Sequence, residues 1–413
     1  METRSLPALT LGLLAVAATL VIGVGTKAPC ASGDWSYDGH PTGKQYRLLC
    51  YTDIVPLYGT EQLQGSRLPY LDTCQGICDE YPVLTMYAMR AAAWAPGGSF
   101  GFFVANVGML AAAAVATTWA LARLAGRRAL YFALAPTLAI YSFMNWDLLA
   151  VALATLGTLA YLRRRDIWAG ALLGLGAATK LYPAVLLIPF VAGRFREKEP
   201  DRGIFLAWAA AGAWLAVNLP FVLGGFRSWA EFFRFNATRG TDWDSLWFIG
   251  CHRLLGHENG CPVNWTRTIN VASLLLFAGT ALLVWRIRAR RDPGFPTWTL
   301  GFPLIALFLL TNKVYSPQYG LWLLPWFALV LPNWKLFVLF EAADVAVFVT
   351  RFSWFGELSG VGGLPIGAFE AAVLVRAAVL VACLVAWLRS RGDPLEGAVE
   401  PASDEPQMER AAS

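Results

Sequence analysis

The residues suited to chemistry are few, because 57% of the 413 residues are apolar and only 15% are charged. Carboxylates gather in Cys50-Tyr-Thr-Asp53-Ile-Val-Pro, Pro69-Tyr-Leu-Asp72 and Asp79-Glu80-Tyr81-Pro82. A carboxylate held among aromatics beside a disulfide is rigid and partly desolvated, which suits a general base. Asp53 fits that description, and it also fits an ordinary helix N-cap ahead of Ile-Val-Pro. Lys180 and Lys313 stand at helix ends or breaks in a chain with few lysines. An ammonium near a membrane must snorkel, pair or serve a site. Two such cations facing one cavity would bind a phosphate that gains charge as its ester bond breaks. Around Lys313, the run Thr311-Asn-Lys-Val-Tyr315-Ser-Pro-Gln318-Tyr collects hydroxyls and amides. These groups suit hydrogen bonds to a sugar or phosphate, or else a plain polar turn. Asp147, in Met144-Asn-Trp-Asp, is a further carboxylate with either a capping or a substrate-facing role.

Other charges read as structural. Glu341 and Asp344 share a helix face by their i, i+3 spacing, and Asp344 lies at the depth of Arg376, which predicts an interhelical ion pair. Asp242-Trp-Asp244 matches the Asp-x-Asp pattern of sugar transferases, over too short a stretch to carry weight. Cys74-x-x-x-Cys78 has no histidine nearby except His40, so disulfides are expected there rather than a metal.

The elements that hold these residues are set by hydropathy. Apolar windows recur along the chain, several of them reaching the about 20 residues that span a bilayer. They predict an all-α polytopic membrane protein, a bundle of about 11–13 transmembrane helices with two long outer loops. The windows are 6–25, 99–124, 130–145, 147–162, 204–223, 269–285, 298–310, 319–331, 335–349 and 366–388. Arginine clusters mark the cytoplasmic ends, put both termini inside, and leave 29–90 and 224–268 as the outer loops. The net charge of +5 is small and its arginines lie in short loops, so it marks topology and not nucleic acid. Residues 1–391 form one membrane domain, and the acidic 392–413 tail is expected to be disordered and cytoplasmic.

Two stretches depart from simple crossings. Segment 167–179 is too short to cross and ends at Lys180, and 184–192 then returns to basic residues; this predicts a broken hairpin with Lys180 at its tip. Phe226, Trp229, Phe232 and Phe233 form an apolar stripe opposite Arg227, Glu231 and Arg234, which predicts a helix lying in the outer interface. The cysteines test the topology independently. Cys30, Cys50, Cys74 and Cys78 fall in the first loop and Cys251 and Cys261 in the second; only Cys383 lies in a helix. Even counts in loops placed outside match an oxidising compartment. Cys251 pairs with Cys261 within its loop, and the connectivity of the first four stays open.

Four motifs carry a resemblance. Glu80-Tyr-Pro-Val-Leu84, Asn145-Trp-Asp-Leu-Leu149, Ala177-Ala-Thr-Lys-Leu-Tyr-Pro183 and Thr311-Asn-Lys-Val-Tyr-Ser-Pro-Gln-Tyr319 resemble the glycosyltransferase 87 family. The resemblance implies a GT-C fold and an inverting mannosyltransferase in the cell membrane, working outside the cytoplasm. Its donor would be a polyprenyl-phosphate sugar and its acceptor a glycolipid or polysaccharide of the cell envelope. It further implies a catalytic aspartate in the first outer loop, here Asp53, with Asp72 and Glu80 as rivals. Lys180, Lys313, Tyr315, Gln318, Asp147, Glu80 and Tyr81 are the expected substrate-binding residues. No metal, cofactor or nucleotide is expected, and the chain has no phosphate-binding Gly-rich loop. A multi-pass transporter or lipid flippase is the competing reading, which predicts inverted halves and polar residues at mid-membrane.

Overall fold

The computed structural model describes residues 5–31 and 43–396; His40 and the tail from 397 lie outside them. Among the described residues every regular element is a helix. Five are long and apolar enough to cross a membrane: Pro7–Cys30, Gly98–Ala133, Pro200–Trp229, Val263–Arg291 and Ile366–Arg389. The chain is an all-α polytopic membrane protein. A further long helix, Trp334–Leu358, carries Glu341, Asp344 and Arg351 buried against its neighbours.

The other crossings drawn from hydropathy are shorter or broken. In the 130–145 window a turn at Leu134 and Ala135 separates Leu130–Ala133 from Pro136–Tyr141. Proline forces the residue before it into extended backbone, and Ala135 has ψ 124°. The 319–331 window is likewise a 3-10 turn, Pro317–Trp322, followed by the short Leu324–Leu329 helix. These pieces and Gly301–Thr311 are almost wholly buried. Pro200–Trp229 and Val263–Arg291 are the least buried of the long helices, and their exposed Trp208, Leu223, Leu274 and Leu282 form an apolar exterior.

The broken hairpin is present. Helix Asp166–Thr179 ends where Lys180 turns extended (φ −148°, ψ 144°), and a 3-10 turn leads into Leu187–Arg196. Arg194 donates to the Asp166 carboxylate and the Tyr161 carbonyl, both at 2.7 Å, so the two basic flanks meet on one side. Helix Asp166–Thr179 lies directly on Pro200–Trp229. A Cβ at Gly170 would sit 2.1 Å from the Leu206 carbonyl oxygen, and one at Gly174 2.2 Å from that of Ala210. The small residues four apart let the two backbones touch, and this contact fixes where Lys180 emerges.

Buried charges find ionic or hydrogen-bonding partners. Arg376 donates to Asp344 at 2.9 Å, as the sequence predicted. Glu341 accepts from the Thr137 backbone N–H and hydroxyl, both at 2.9 Å. The structure joins Cys30 to Cys50, Cys74 to Cys78 and Cys251 to Cys261, and Cys383 is free and buried. The aromatic stripe does not sit on one helix. Gly225 breaks the backbone (φ −158°, ψ 56°) before Trp229, and a separate helix runs Glu231–Thr238.

Candidate active site

One cavity of about 610 Å³ collects most of the chemistry. The first loop contributes Tyr51, Asp53, Glu80 and Tyr81. Asn145 comes from the turn before Asp147–Leu162, and Lys180 from the hairpin tip. The second loop supplies Arg239, Asp242 and Trp243, and the 312–319 turn supplies Lys313 and Gln318.

Asp53 does not cap its helix. It stands at the N-terminus of Ile54–Thr60 in helical backbone with no side-chain cap bond, and Thr52 Oγ1 accepts from Ile54 N instead. The Asp53 carboxylate turns to the cavity. Its Oδ1 accepts from the Tyr51 hydroxyl at 2.6 Å and its Oδ2 from Asn145 Nδ2 at 2.9 Å. Each oxygen keeps a lone pair for a proton. The same Asn145 Nδ2 also donates to the Tyr81 hydroxyl at 2.8 Å, and the amide oxygen accepts from Lys180 Nζ at 3.3 Å. One amide therefore links the base candidate to the hairpin lysine. Buried Lys27 donates to the Tyr51 carbonyl at 2.7 Å, holding the same turn from the first helix.

The rival carboxylates separate cleanly. Asp72 is exposed and closes a turn by accepting from Leu68 N at 2.7 Å. Glu80 lines the cavity, and burial pushes its carboxyl above the usual range. Glu61, fully buried, accepts from the backbone N–H groups of Asp79 and Glu80 and so fixes that turn. Burial raises its carboxyl to about 7.

The two lysines differ in their surroundings. Lys180 Nζ is 3.1 Å from Asp147 Oδ2 and lies over the rings of Tyr81 and Tyr319. Lys313 Nζ donates to the Arg239 carbonyl at 2.6 Å and has no carboxylate partner among the described residues. Burial first, then the neighbouring Arg239, pushes the Lys313 ammonium down to about 8. Arg239 likewise has no carboxylate within ion-pair distance among the described residues; its guanidinium lies over Phe235. Glu80 on the same lining feels the Arg239 charge without reaching ion-pair distance, and two adjacent cations with no direct carboxylate contact favour an anionic ligand.

Two expected substrate-binding residues sit elsewhere. Asp147 is fully buried behind the wall, holding Lys180 on one oxygen and Trp322 Nε1 on the other at 2.8 Å. Tyr315 is also buried outside the lining, its ring 3.6 Å from the Arg376 guanidinium. Both miss the cavity because a buried cation and the indole N–H claim them as packing partners. Sequence reasoning missed Arg239, Asn145 and Tyr51. Asn145 had a signal, an amide inside an apolar run, whereas Arg239 had none beyond its charge.

Asp242 and Asp244 converge on Arg351, which meets Asp242 at 3.6 Å and Asp244 more closely. The Asp-x-Asp pattern is here an arginine clamp. No group of metal-ligating side chains occurs among the described residues.

No curated protein matches the chain. The model of glycosyltransferase family 87 matches residues 81–312, which takes in Tyr81, Asn145, Lys180 and Arg239 and stops just short of Lys313. That match covers more than half of the sequence, and the chain belongs to glycosyltransferase family 87, as a membrane-embedded glycosyltransferase.

Proposed function

We propose that the protein transfers a sugar, mannose by family analogy, from a polyprenyl-phosphate carrier to a cell-envelope glycolipid or polysaccharide. The reaction takes place on the outer face of the plasma membrane with inversion at the anomeric carbon, and both termini are cytoplasmic. The observation that carries this reading is the cavity itself. It gathers a carboxylate oriented by two donors and two cations that form no direct ion pair, and its lining includes apolar side chains such as Leu274 and Phe277. The three disulfides lie in the loops around it, which favours an oxidising outer compartment.

In this reading Asp53 takes the proton from the acceptor hydroxyl as that oxygen bonds to the anomeric carbon. The bond from that carbon to the phosphate oxygen breaks, and polyprenyl phosphate departs with the electron pair. Lys313 and Arg239 stabilise the charge that grows on the leaving phosphate. Lys180, already paired with Asp147, positions Asn145 and the sugar-facing Tyr81. The prenyl chain lies along the apolar side formed by Val263–Arg291 and the Phe232 and Phe235 rings. No metal or other cofactor takes part.

The test uses the full chain in lipid with radiolabelled polyprenyl-phosphate-mannose and an envelope lipid extract. Asp53→Asn should keep the Tyr51 and Asn145 surroundings and lower transfer by about 10²–10⁴-fold. Wild-type rates in that variant would remove Asp53 as the base and shift the role to Glu80, tested by Glu80→Gln.

A further inference from the structure

The second loop contains one tryptophan that the reading above does not use. Trp243 lies between Asp242 and Asp244, lines the cavity, and is 40% exposed. Its setting is unlike that of a perimeter anchor such as Trp94 or Trp334, which are 69% and 64% exposed and lie outside the lining of this cavity. The carboxylates on either side of it are both buried and both held by Arg351. The same guanidinium lies over the Trp243 ring, 5.4 Å from its centre. Trp354 and Phe355 meet the indole at 76° and 78°, with centres 6.1 and 5.2 Å away. The indole is fixed by an ion-pair clamp and two aromatic neighbours, and it borders the cavity while 40% exposed.

That wall is continuous with the base. Phe355 contacts Phe352 at 5.7 Å, and Phe352 stacks on Tyr51 at 4.5 Å. Tyr51 in turn donates its hydroxyl to Asp53. Phe352, Arg351 and Asp242 also line the cavity. The apolar rim belongs to another element, Leu274 to helix Thr266–Arg291, whereas Arg239 precedes Asp242 in the same loop and the Lys313 carbonyl accepts from Asp242 N at 2.8 Å.

From this arrangement we propose that Trp243 is a stacking platform for a saccharide and that the acceptor hydroxyl belongs to that saccharide, seated between the indole and Asp53. The C–H face of a pyranose is slightly positive and apolar, and it packs against the negative face of an aromatic ring. The hydroxyls around the ring edge then meet polar groups, and Asp242 stands beside the platform. An acceptor that is a bare lipid alcohol or a peptide side chain would have no use for such a surface. The inference deepens the glycosyltransferase reading, and rests on it only for the saccharide's role as acceptor.

The experiment measures saccharide binding without donor or turnover. Full-length protein in lipid nanodiscs would be titrated with α-mannobiose, maltose and lactose by saturation-transfer NMR, in wild type, Trp243→Ala, Trp243→Phe and Trp94→Ala. At least one sugar should receive saturation at its ring C–H protons in the wild type. The apparent affinity should fall about tenfold in Trp243→Ala, and largely return in Trp243→Phe. Trp94→Ala should match wild type, and the melting temperature of each variant separates lost binding from lost folding. Absence of any sugar signal in the wild type, or an unchanged signal in a folded Trp243→Ala, would overturn the proposal. The outcome is separable from the fate of the base, because Asp53→Asn should keep the sugar signal while losing transfer.

Discussion

Donor use should fall as pH rises through 8, and the cause lies in one side chain. Lys313 is buried beside Arg239, and burial together with that neighbour holds its ammonium at about 8 rather than the usual 10.5. A lysine with a lowered pKa is charged below that value and neutral above it. About 90% of Lys313 is therefore protonated at pH 7 and about 10% at pH 9. The donor carries a phosphodiester anion in the proposed reaction, and it binds the charged form. Donor kcat/KM should then drop about tenfold between pH 7 and pH 9, because that ratio reports ionisations of the free enzyme. Bound phosphate favours the ammonium, so the limb in kcat should move to higher pH. Initial rates of transfer from radiolabelled donor at fixed acceptor give both profiles. Lys313→Arg supplies the control that separates this group from the other ionisable side chains of the cavity, since a guanidinium keeps its charge throughout. The arginine variant should lose the alkaline limb, and Lys313→Ala should be low at every pH. A flat wild-type profile from pH 7 to pH 9 would refute the argument, as would an identical limb in the arginine variant.

Two further perturbations test the framework behind the cavity. Asp147→Asn leaves the Lys180 ammonium buried without its counter-charge, a change that costs about 3–5 kcal/mol; thermal unfolding in lipid should show a large loss, and Asp147→Asn combined with Lys180→Met should recover part of it. Equal stability of the single and double variants would mean the pair is not the source. Gly170→Ala puts a methyl group 2.1 Å from the Leu206 carbonyl oxygen, so helices Asp166–Thr179 and Pro200–Trp229 must separate at about 1–3 kcal/mol; transfer should weaken with it, because the same helix delivers Lys180. Unchanged melting temperature and rate would remove that contact as the device that positions the lysine.

Much of the fold was legible because a bilayer leaves the chain few options. Apolar windows must be helical because lipid offers the backbone no other partner, and the cysteines of each loop pair with one another. The break at Lys180 was legible for the same reason, since a short apolar run between two basic flanks cannot cross. Hydropathy gave no warning of the breaks near Pro136 and Pro325, because buried short helices are as apolar as spanning ones. The site was less legible because spacing does not say where a side chain points. Tyr315 and Ser316 are neighbours in one polar turn, yet Ser316 lines the cavity while Tyr315 packs under Arg376 from a distant helix. What sorts the charges is their partners. Among the described residues, Asp147 is taken by Lys180, Asp344 by Arg376, Asp79 by Arg67 and Asp244 by Arg351. The Asp344 pair was legible from depth along its helix, whereas Asp147 and Asp79 looked as available in the sequence as Asp53 did. Once they are matched, the cavity keeps Asp53, held by neutral donors, and on the same lining Lys313 and Arg239, which form no direct ion pair. Neutral donors also hold the buried Glu61 and Glu341, so what marks the site is the sharing of one cavity by a carboxylate and two cations, the arrangement that a displacement at a phosphate ester requires.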